Sequence, residues 1–181
     1  IAAIIFLVQL AFYIDGNAYI DFMLQTVESS FVIEGNKMNG YFVFFVILQT
    51  LLVHVPLLIS LVAGDMIAGE ANMGTLRLLA AKPVSRTTII LTKFFATCVY
   101  TLLLLTFMAV IGLLGSILLF GTSDLIVPTS GKLLLIERHD VLWRYFAACG
   151  FAVLSMVTVA SLAFLFSVFA ENSIGPIIAA M

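Results

Sequence analysis

Long stretches without a charged residue dominate the pattern of hydrophobic and polar positions along this chain. Residues 38–64 and residues 94–123 contain no Asp, Glu, Lys or Arg. Each stretch exceeds the roughly 20 apolar residues with which a helix crosses a bilayer core of about 30 Å. The charge-free windows predict membrane spans at about 1–14, 41–64, 89–120, 145–170 and from 176 onward.

The composition supports a membrane location for the whole chain. Charged residues make up 10% and hydrophobic residues 63% of its 181 residues, whereas roughly a quarter of the residues in a soluble domain are charged. A soluble core of this length cannot bury that much apolar surface, so we expect the lipid bilayer to be the solvent. We predict a single transmembrane domain over 1–181 in a multi-pass protein of the cell membrane (a prokaryotic inner or plasma membrane), with no nucleic-acid partner.

The first and last charge-free windows are too short to cross a bilayer. The window 1–14 begins at the first residue of the chain, and the window from 176 onward stops at Met181. Both fall short of the length that a span needs. We therefore expect an interior piece of a longer membrane protein, in which the three middle spans are complete.

The distribution of basic residues predicts which loops face the cytoplasm. The connector 65–86 contains three basic residues, whereas the loop 15–40 contains four acidic residues and one lysine. The positive-inside rule therefore places 65–86 in the cytoplasm and 15–40 outside. The loop 121–144 is then external as well, although it also contains three basic residues.

Two short segments of the external loops have the pattern of membrane-surface caps. Met23, Val27 and Phe31 recur at helical spacing in the loop 15–40, which predicts a short amphipathic helix on the outer surface. The segment Lys132–Trp143 combines apolar and charged positions in a similar way. We predict that it is a second cap of the same kind.

The connector 65–86 contains several residues that define helix ends, and it is predicted to form two short helical pieces. Gly74 and Thr75 are expected to break the first piece, and the Thr75 hydroxyl to cap the second by accepting from the amides of the following turn. Pro83 is expected to end the second piece, because proline disfavours helical geometry in the residue before it. Ser85 is predicted to cap the next span, with Arg86 at headgroup level.

Glu70 lies about one turn before this break, where it is expected to pair with a basic group or to hydrogen-bond back across the bend. The physical pattern alone fits two interpretations of the connector. One is an ordinary cytoplasmic loop with good helix caps, and the other is a docking element, because a connector held between two spans must meet its partner at the membrane surface.

The ordered residues of this connector resemble the permeases of type-2 ABC exporters. The resemblance rests on Glu70-x-x-x-Gly74-Thr75-Leu76, then Leu79, then Pro83-Val84-Ser85-Arg86, with Lys93 seven residues later. A weaker similarity covers Leu162–Ala180. In that family the matching stretch joins the second and third of six spans and forms the coupling helix that rests on the ATPase subunit.

The resemblance implies an all-α integral membrane fold with six spans, of which roughly spans one to five are present here. It implies a permease subunit that forms a translocation pathway as a homo- or heterodimer and that couples to a separate ABC ATPase subunit through the cytoplasmic segment 65–86. The positions that the resemblance assigns to ATPase coupling are Glu70, Gly74, Thr75, Leu76, Arg77, Leu79, Pro83, Val84, Ser85 and Arg86.

The chain itself has no phosphate-binding loop. Such a loop needs Gly, four residues, and then Gly-Lys followed by Ser or Thr. The Gly131-Lys132 pair is followed by Leu133 and has Ile126 where the first glycine belongs. We therefore expect no catalytic, cofactor or metal site in this chain, and ATP and magnesium in the partner ATPase.

Polar residues inside the predicted spans are candidates for helix contacts or for a functional surface. His54 lies near the middle of the second span, two residues before Pro56. It has two interpretations: a neutral histidine packed between helices, or part of a translocation or dimer surface together with Gln49. Gln9 and Gln49 are expected to bridge helices. Gly112 and Ser116 form a small-xxx-small pair that is typical of close helix packing.

Two other classes of function remain open from the sequence. An intramembrane protease needs a serine with a histidine, or paired acids, at matching depth. The spans offer Ser116 and Ser155 but only His54, and neither serine lies in a Gly-x-Ser-x-Gly turn. A membrane anchor or assembly scaffold without transport is the other alternative. ATPase activity that depends on a separate nucleotide-binding subunit distinguishes the exporter from both.

Overall fold

The computed structural model describes residues 1–24, 39–75, 85–129, 132–170 and 174–180. This part of the chain is mostly helical, with one small sheet. The elements in chain order are α1 (Ala2–Leu24), α2 (Gly40–Asn72), α3 (Arg86–Phe120), β1 (Leu125–Thr129), β2 (Lys132–Ile136), α4 (Arg138–Phe169) and α5 (Ile174–Ala180).

Helices α2, α3 and α4 are each long and apolar enough to cross a membrane. They coincide with the three complete spans that the charge-free windows predict, and this prediction is confirmed at that level. Each helix also extends beyond its window: α2 begins at Gly40 and continues to Asn72. Apolar side chains stabilise these helices in lipid. The Asn39 and Ser85 side chains cap the starts of α2 and α3 by accepting from amides of the first turn.

Helix α1 combines a short apolar piece with a helical extension. The apolar piece covers Ala2–Gly16, and Asp15 interrupts the helical geometry with φ −140° and ψ 27°. The helix then continues to Leu24, so the start of the predicted external loop is helical. Val27 and Phe31 of the predicted amphipathic helix lie outside the described residues.

A two-stranded antiparallel hairpin occupies part of the loop 121–144. Strand β1 pairs with β2, and Leu125 lies opposite Ile136. The prediction of a surface helix over 132–143 is therefore wrong for its first half, and the all-α prediction is wrong for this loop. Three of the five β1 residues are β-branched, and two residues separate the strands. Both features favour a hairpin over a helix.

The chain divides into two compact units, and α2, α3 and α4 each contribute to both. One unit consists of 1–50 with 106–149, and the other of 51–105 with 150–181.

In the first unit a buried glutamine joins α1 to α3. Gln9 donates from Nε2 to the Gly112 carbonyl oxygen and to the Ser116 hydroxyl, at 3.3 Å each. Gly112 lies against the Phe44 ring of α2, and Ser116 is fully buried. The predicted bridging role of Gln9 and the predicted contact at Gly112 and Ser116 are both confirmed.

The same unit contains a set of hydrogen bonds where α2 and α4 begin. Asn39 accepts from the Phe42 amide with Oδ1 at 2.8 Å and donates from Nδ2 to the Asp124 carbonyl at 2.7 Å. The Asp124 carboxylate accepts from the Arg138 amide at 2.9 Å. The Gly40 amide donates to the Gly121 carbonyl at 3.0 Å. These bonds satisfy amides at the starts of two helices and carbonyls after α3.

In the second unit the end of α2 packs against α3, α4 and α5. The Ser167 hydroxyl of α4 accepts from the Ile67 and Ala68 amides of α2, at 3.1 and 3.0 Å. The rings of Phe94 in α3 and Phe164 in α4 meet edge to face, with centroids 5.5 Å apart. Gly64 of α2 lies against Ile177 of α5. This packing holds the helix ends from which the connector leaves.

Candidate functional site

The described part of the connector consists of the last turns of α2, the turn after them and the start of α3. Helix α2 runs through residues 65–72 without interruption, so the predicted first helical piece is the end of α2 and not a separate helix. Met73 and Gly74 form the turn, and Gly74 has φ +73°. Glycine suits a left-handed position after a helix because it has no Cβ. The predicted break at Gly74 is confirmed.

Thr75 follows this turn and forms a hydrogen bond back to the end of α2. Its hydroxyl donates to the Glu70 carbonyl oxygen at 3.2 Å. The sequence predicted that this hydroxyl would accept from amides of the following turn, which lies outside the described residues. The observed bond instead satisfies one of the last carbonyls of α2, which have no partner within the helix. Thr75 therefore attaches the first residue after the turn to the helix before it.

Ser85 caps α3 as the sequence predicted. Its hydroxyl oxygen accepts from the Thr88 amide at 3.1 Å and lies 2.7 Å from the Thr88 hydroxyl. This is the N-cap geometry that serine favours, with the donor amide on the third residue beyond the cap. Arg86 follows as the first residue of α3 and is exposed. The connector thus enters α3 at a defined residue.

An ion pair joins the two helices behind this connector. Lys93 of α3 places Nζ 2.7 Å from Glu70 Oε1, and the two side chains are 16% and 28% exposed. The ammonium also donates to the Met66 carbonyl oxygen of α2 at 2.8 Å. Glu70 Oε2 is buried and has no hydrogen-bond partner among the described residues. A lysine near the carboxyl end of α2 is also favoured by the helix dipole.

The sequence indicated that Glu70 would pair with a basic group, but it did not identify the group. One available signal was that Lys93 is the last charged residue before the apolar stretch 94–123. A lysine at that depth in a span needs an anion or a carbonyl nearby. Leu76, Arg77, Leu79, Pro83 and Val84 of the predicted site lie outside the described residues.

His54 and Gln49 both lie in α2 with exposed side chains. The exposure does not fit the interpretation of His54 as a residue packed between helices of this chain, and Gln49 does not bridge the described helices. Placement on a translocation or dimer surface stays a prediction for both residues. Among the described residues no three or more His, Cys, Asp or Glu side chains lie together as a metal site would require.

Comparisons with known proteins identify a family but no activity. The search of curated proteins found no match, and the search of solved structures found none either. The family that matches is described as a protein of unknown function, DUF2705, and the match covers residues 1–181. Since the match includes every residue of the sequence, the chain belongs to the DUF2705 family.

Proposed function

We propose that this chain is the transmembrane permease subunit of an ATP-driven type-2 ABC exporter, with a dimer forming the translocation pathway. The observation that carries the proposal is that a defined capping residue ends α2 and another begins α3, on the two sides of the segment that joins these helices. Gly74 ends α2 in a left-handed turn, and Ser85 caps α3. The Glu70–Lys93 ion pair ties the two helices together behind these ends.

A connector of this kind suits the transmission of force. A displacement of a partner protein reaches the spans only if the connector is attached to them rigidly, and an element that swings freely at its ends absorbs the motion. A hydrogen bond at each end, and one ion pair between the two helices, limit such swinging. In the proposal the segment 65–86 rests on a cytoplasmic ABC ATPase subunit, which supplies ATP and magnesium.

Two exposed polar residues of α2 support the proposal that another protein element or a water-filled path lies against this helix. Polar side chains facing hydrocarbon are costly, and they usually face another protein element or a water-filled path. His54 and Gln49 are both exposed within the apolar stretch 38–64. In the proposal these residues face the translocation pathway or the second permease copy.

Association with an ATPase tests this proposal against a scaffold role. We expect the affinity-tagged full-length protein, purified from its native membrane, to retain a subunit with a Gly-x-x-x-x-Gly-Lys-Ser/Thr loop. We expect ATP hydrolysis by that subunit to rise when the permease is present in proteoliposomes. A protein that inserts normally but neither retains such a subunit nor changes its hydrolysis is an anchor or scaffold, and the exporter proposal then fails.

The orientation of the connector gives a second test. Cysteine at the exposed position Asn72, at the end of α2, should be shielded from an impermeant thiol reagent in intact cells. Cysteine at the exposed position Glu137, between β2 and α4, should react. Both variants are made after replacement of Cys98 and Cys149, and cell lysis should make position 72 reactive. Labelling of position 72 from outside would place the connector on the wrong side for a cytoplasmic ATPase.

A further inference from the structure

The Glu70 carboxylate depends on a single described residue for its position. Among the described residues only Oε1 of its two oxygens has a partner, and that partner is the Lys93 ammonium at 2.7 Å. The other oxygen is buried and has no hydrogen bond among the described residues. A buried carboxylate oxygen without a partner loses its hydration without compensation. Without Lys93, the carboxylate would therefore turn toward water.

The Lys93 ammonium, in turn, bonds to two groups in the last turns of α2. It contacts the Met66 carbonyl at 2.8 Å and the Glu70 carboxylate one turn further along. Its side chain is only 16% exposed, so the ammonium is fixed by these two acceptors and is largely shielded from water. A partly buried pair is screened by salt much less than an exposed pair is.

Glu70 and Lys93 lie close to the two connector ends, which are the end of α2 and the start of α3. Glu70 is two residues before the last residue of α2, and its own carbonyl accepts from Thr75. Lys93 lies in α3 about two turns after the Ser85 cap. The pair is therefore a direct contact between α2 and α3 next to the connector ends.

We propose that Lys93 is a positioning residue which, through its ion pair with Glu70, holds the two ends of the connector at a fixed separation. The role assigned to the connector in ATPase coupling rests on the proposed function, whereas the fixed separation does not. Since the proposal concerns a pair, exchanging the two charges should restore part of the effect. The restoration is partial because the exchange also sets a glutamate against the Met66 carbonyl oxygen, which accepts from Lys93 in the parent protein. A role of Lys93 in packing alone does not predict this exchange.

The separation is measurable with two spin labels in the full-length protein in lipid nanodiscs. The exposed positions Met73, directly after α2, and Thr87, in the first turn of α3, lie at the two connector ends. They receive the labels after Cys98 and Cys149 are replaced. We expect one narrow distance distribution in the parent protein. Lys93→Gln and Glu70→Gln should each lose the narrow peak, and the double variant Glu70→Lys/Lys93→Glu should have a narrower distribution than either single variant.

Two further variants act as controls. Lys93→Arg should keep the narrow peak, because a guanidinium can reach both carboxylate oxygens. Asp140→Asn removes the exposed i,i+4 pair with Arg144 and should leave the distribution unchanged. If Lys93→Gln does not insert into the membrane, the distance distributions of Lys93→Arg and Glu70→Gln are compared. A narrow peak in Lys93→Arg and a broad one in Glu70→Gln supports the proposal, and equal widths overturn it. A narrow peak in Lys93→Gln overturns the proposal, and so does a double variant that stays as broad as the single ones.

A second measurement separates this inference from the proposed function. In complex with the ATPase, the parent protein and the charge-exchanged variant should stimulate ATP hydrolysis, whereas Lys93→Gln should not. If the parent complex shows no stimulation while the charge exchange still narrows the distance distribution, the exporter proposal fails and the positioning role of Lys93 stands.

Discussion

Gly40→Ala is expected to destabilise the first unit more than any other single methyl addition at a described glycine. A Cβ at this position would lie 2.6 Å from the Ser116 carbonyl oxygen, 2.7 Å from the Gly121 carbonyl oxygen and 2.8 Å from the Ile117 Cα. All three are backbone atoms, so no rotation of a side chain can make room. Overpacking typically costs about 1–3 kcal/mol and occasionally more. Since the three nearest atoms all belong to backbone, we expect about 3 kcal/mol or more for Gly40→Ala.

The same substitution also affects the hydrogen bonds around it. Gly40 donates its amide to the Gly121 carbonyl at 3.0 Å, so a shift of α2 away from α3 breaks a bond as well as a close contact. The neighbouring Asn39 cap bonds to the Asp124 carbonyl at 2.7 Å and moves with the same helix start. Loss of these bonds adds about 1 kcal/mol each.

The measurement is the thermal unfolding midpoint of purified protein in detergent, followed by the helical circular dichroism signal. Gly150→Ala is the matched control, because a Cβ placed there meets no described atom within 4 Å apart from its chain neighbours and the adjacent backbone of its own helix. Alanine also favours a helix interior by up to about 1 kcal/mol over glycine. We expect a lowered midpoint for Gly40→Ala and an unchanged or raised midpoint for Gly150→Ala. Equal midpoints for the two variants would contradict the proposed close approach of α2 and α3.

The sequence predicts the long helices well because the hydrophobic effect acts on local runs of residues. The charge-free stretches 38–64 and 94–123 define the spans of α2 and α3, and the cap at Ser85 follows from the residue type and its position before an apolar run. The hairpin was missed because apolar residues in a short segment fit a strand and a surface helix equally well. Its pairing depends on contacts between two segments, which neither segment reveals alone.

The candidate site shows the same division between local and long-range information. Gly74 and Ser85 act on their immediate neighbours, so their roles could be predicted from the chain order. The partner of Glu70 could not, because Lys93 is 23 positions further along and meets it only when α2 and α3 pack together. The Thr75 hydroxyl donates to the preceding helix, which its place in the sequence does not indicate. A hydroxyl can donate and accept at the same time, so its cap on the following turn stays a prediction.

Under the proposed exporter function, Glu70→Ala is expected to abolish the coupling of ATP hydrolysis to this chain, while the abundance and insertion of the protein stay near normal. The substitution leaves the Lys93 ammonium, which is 16% exposed, without its anion. Removing one partner of a fully buried pair costs about 3–5 kcal/mol, and partial exposure of Glu70 and Lys93 lowers this cost. The spans themselves are held by lipid, so the loss falls on the geometry of the connector rather than on folding.

Thr75→Ala provides a graded comparison at the same site. It removes one hydrogen bond, from the Thr75 hydroxyl to the Glu70 carbonyl, which is worth about 0.5–1.5 kcal/mol. We therefore expect a partial loss of coupling in Thr75→Ala and a complete loss in Glu70→Ala. The measurement is ATP hydrolysis by the ATPase subunit in proteoliposomes, with and without each permease variant. Asp140→Asn, which breaks an exposed pair on α4, should couple normally. Full coupling in both Glu70→Ala and Thr75→Ala would show that the connector is an ordinary loop with well-formed helix caps.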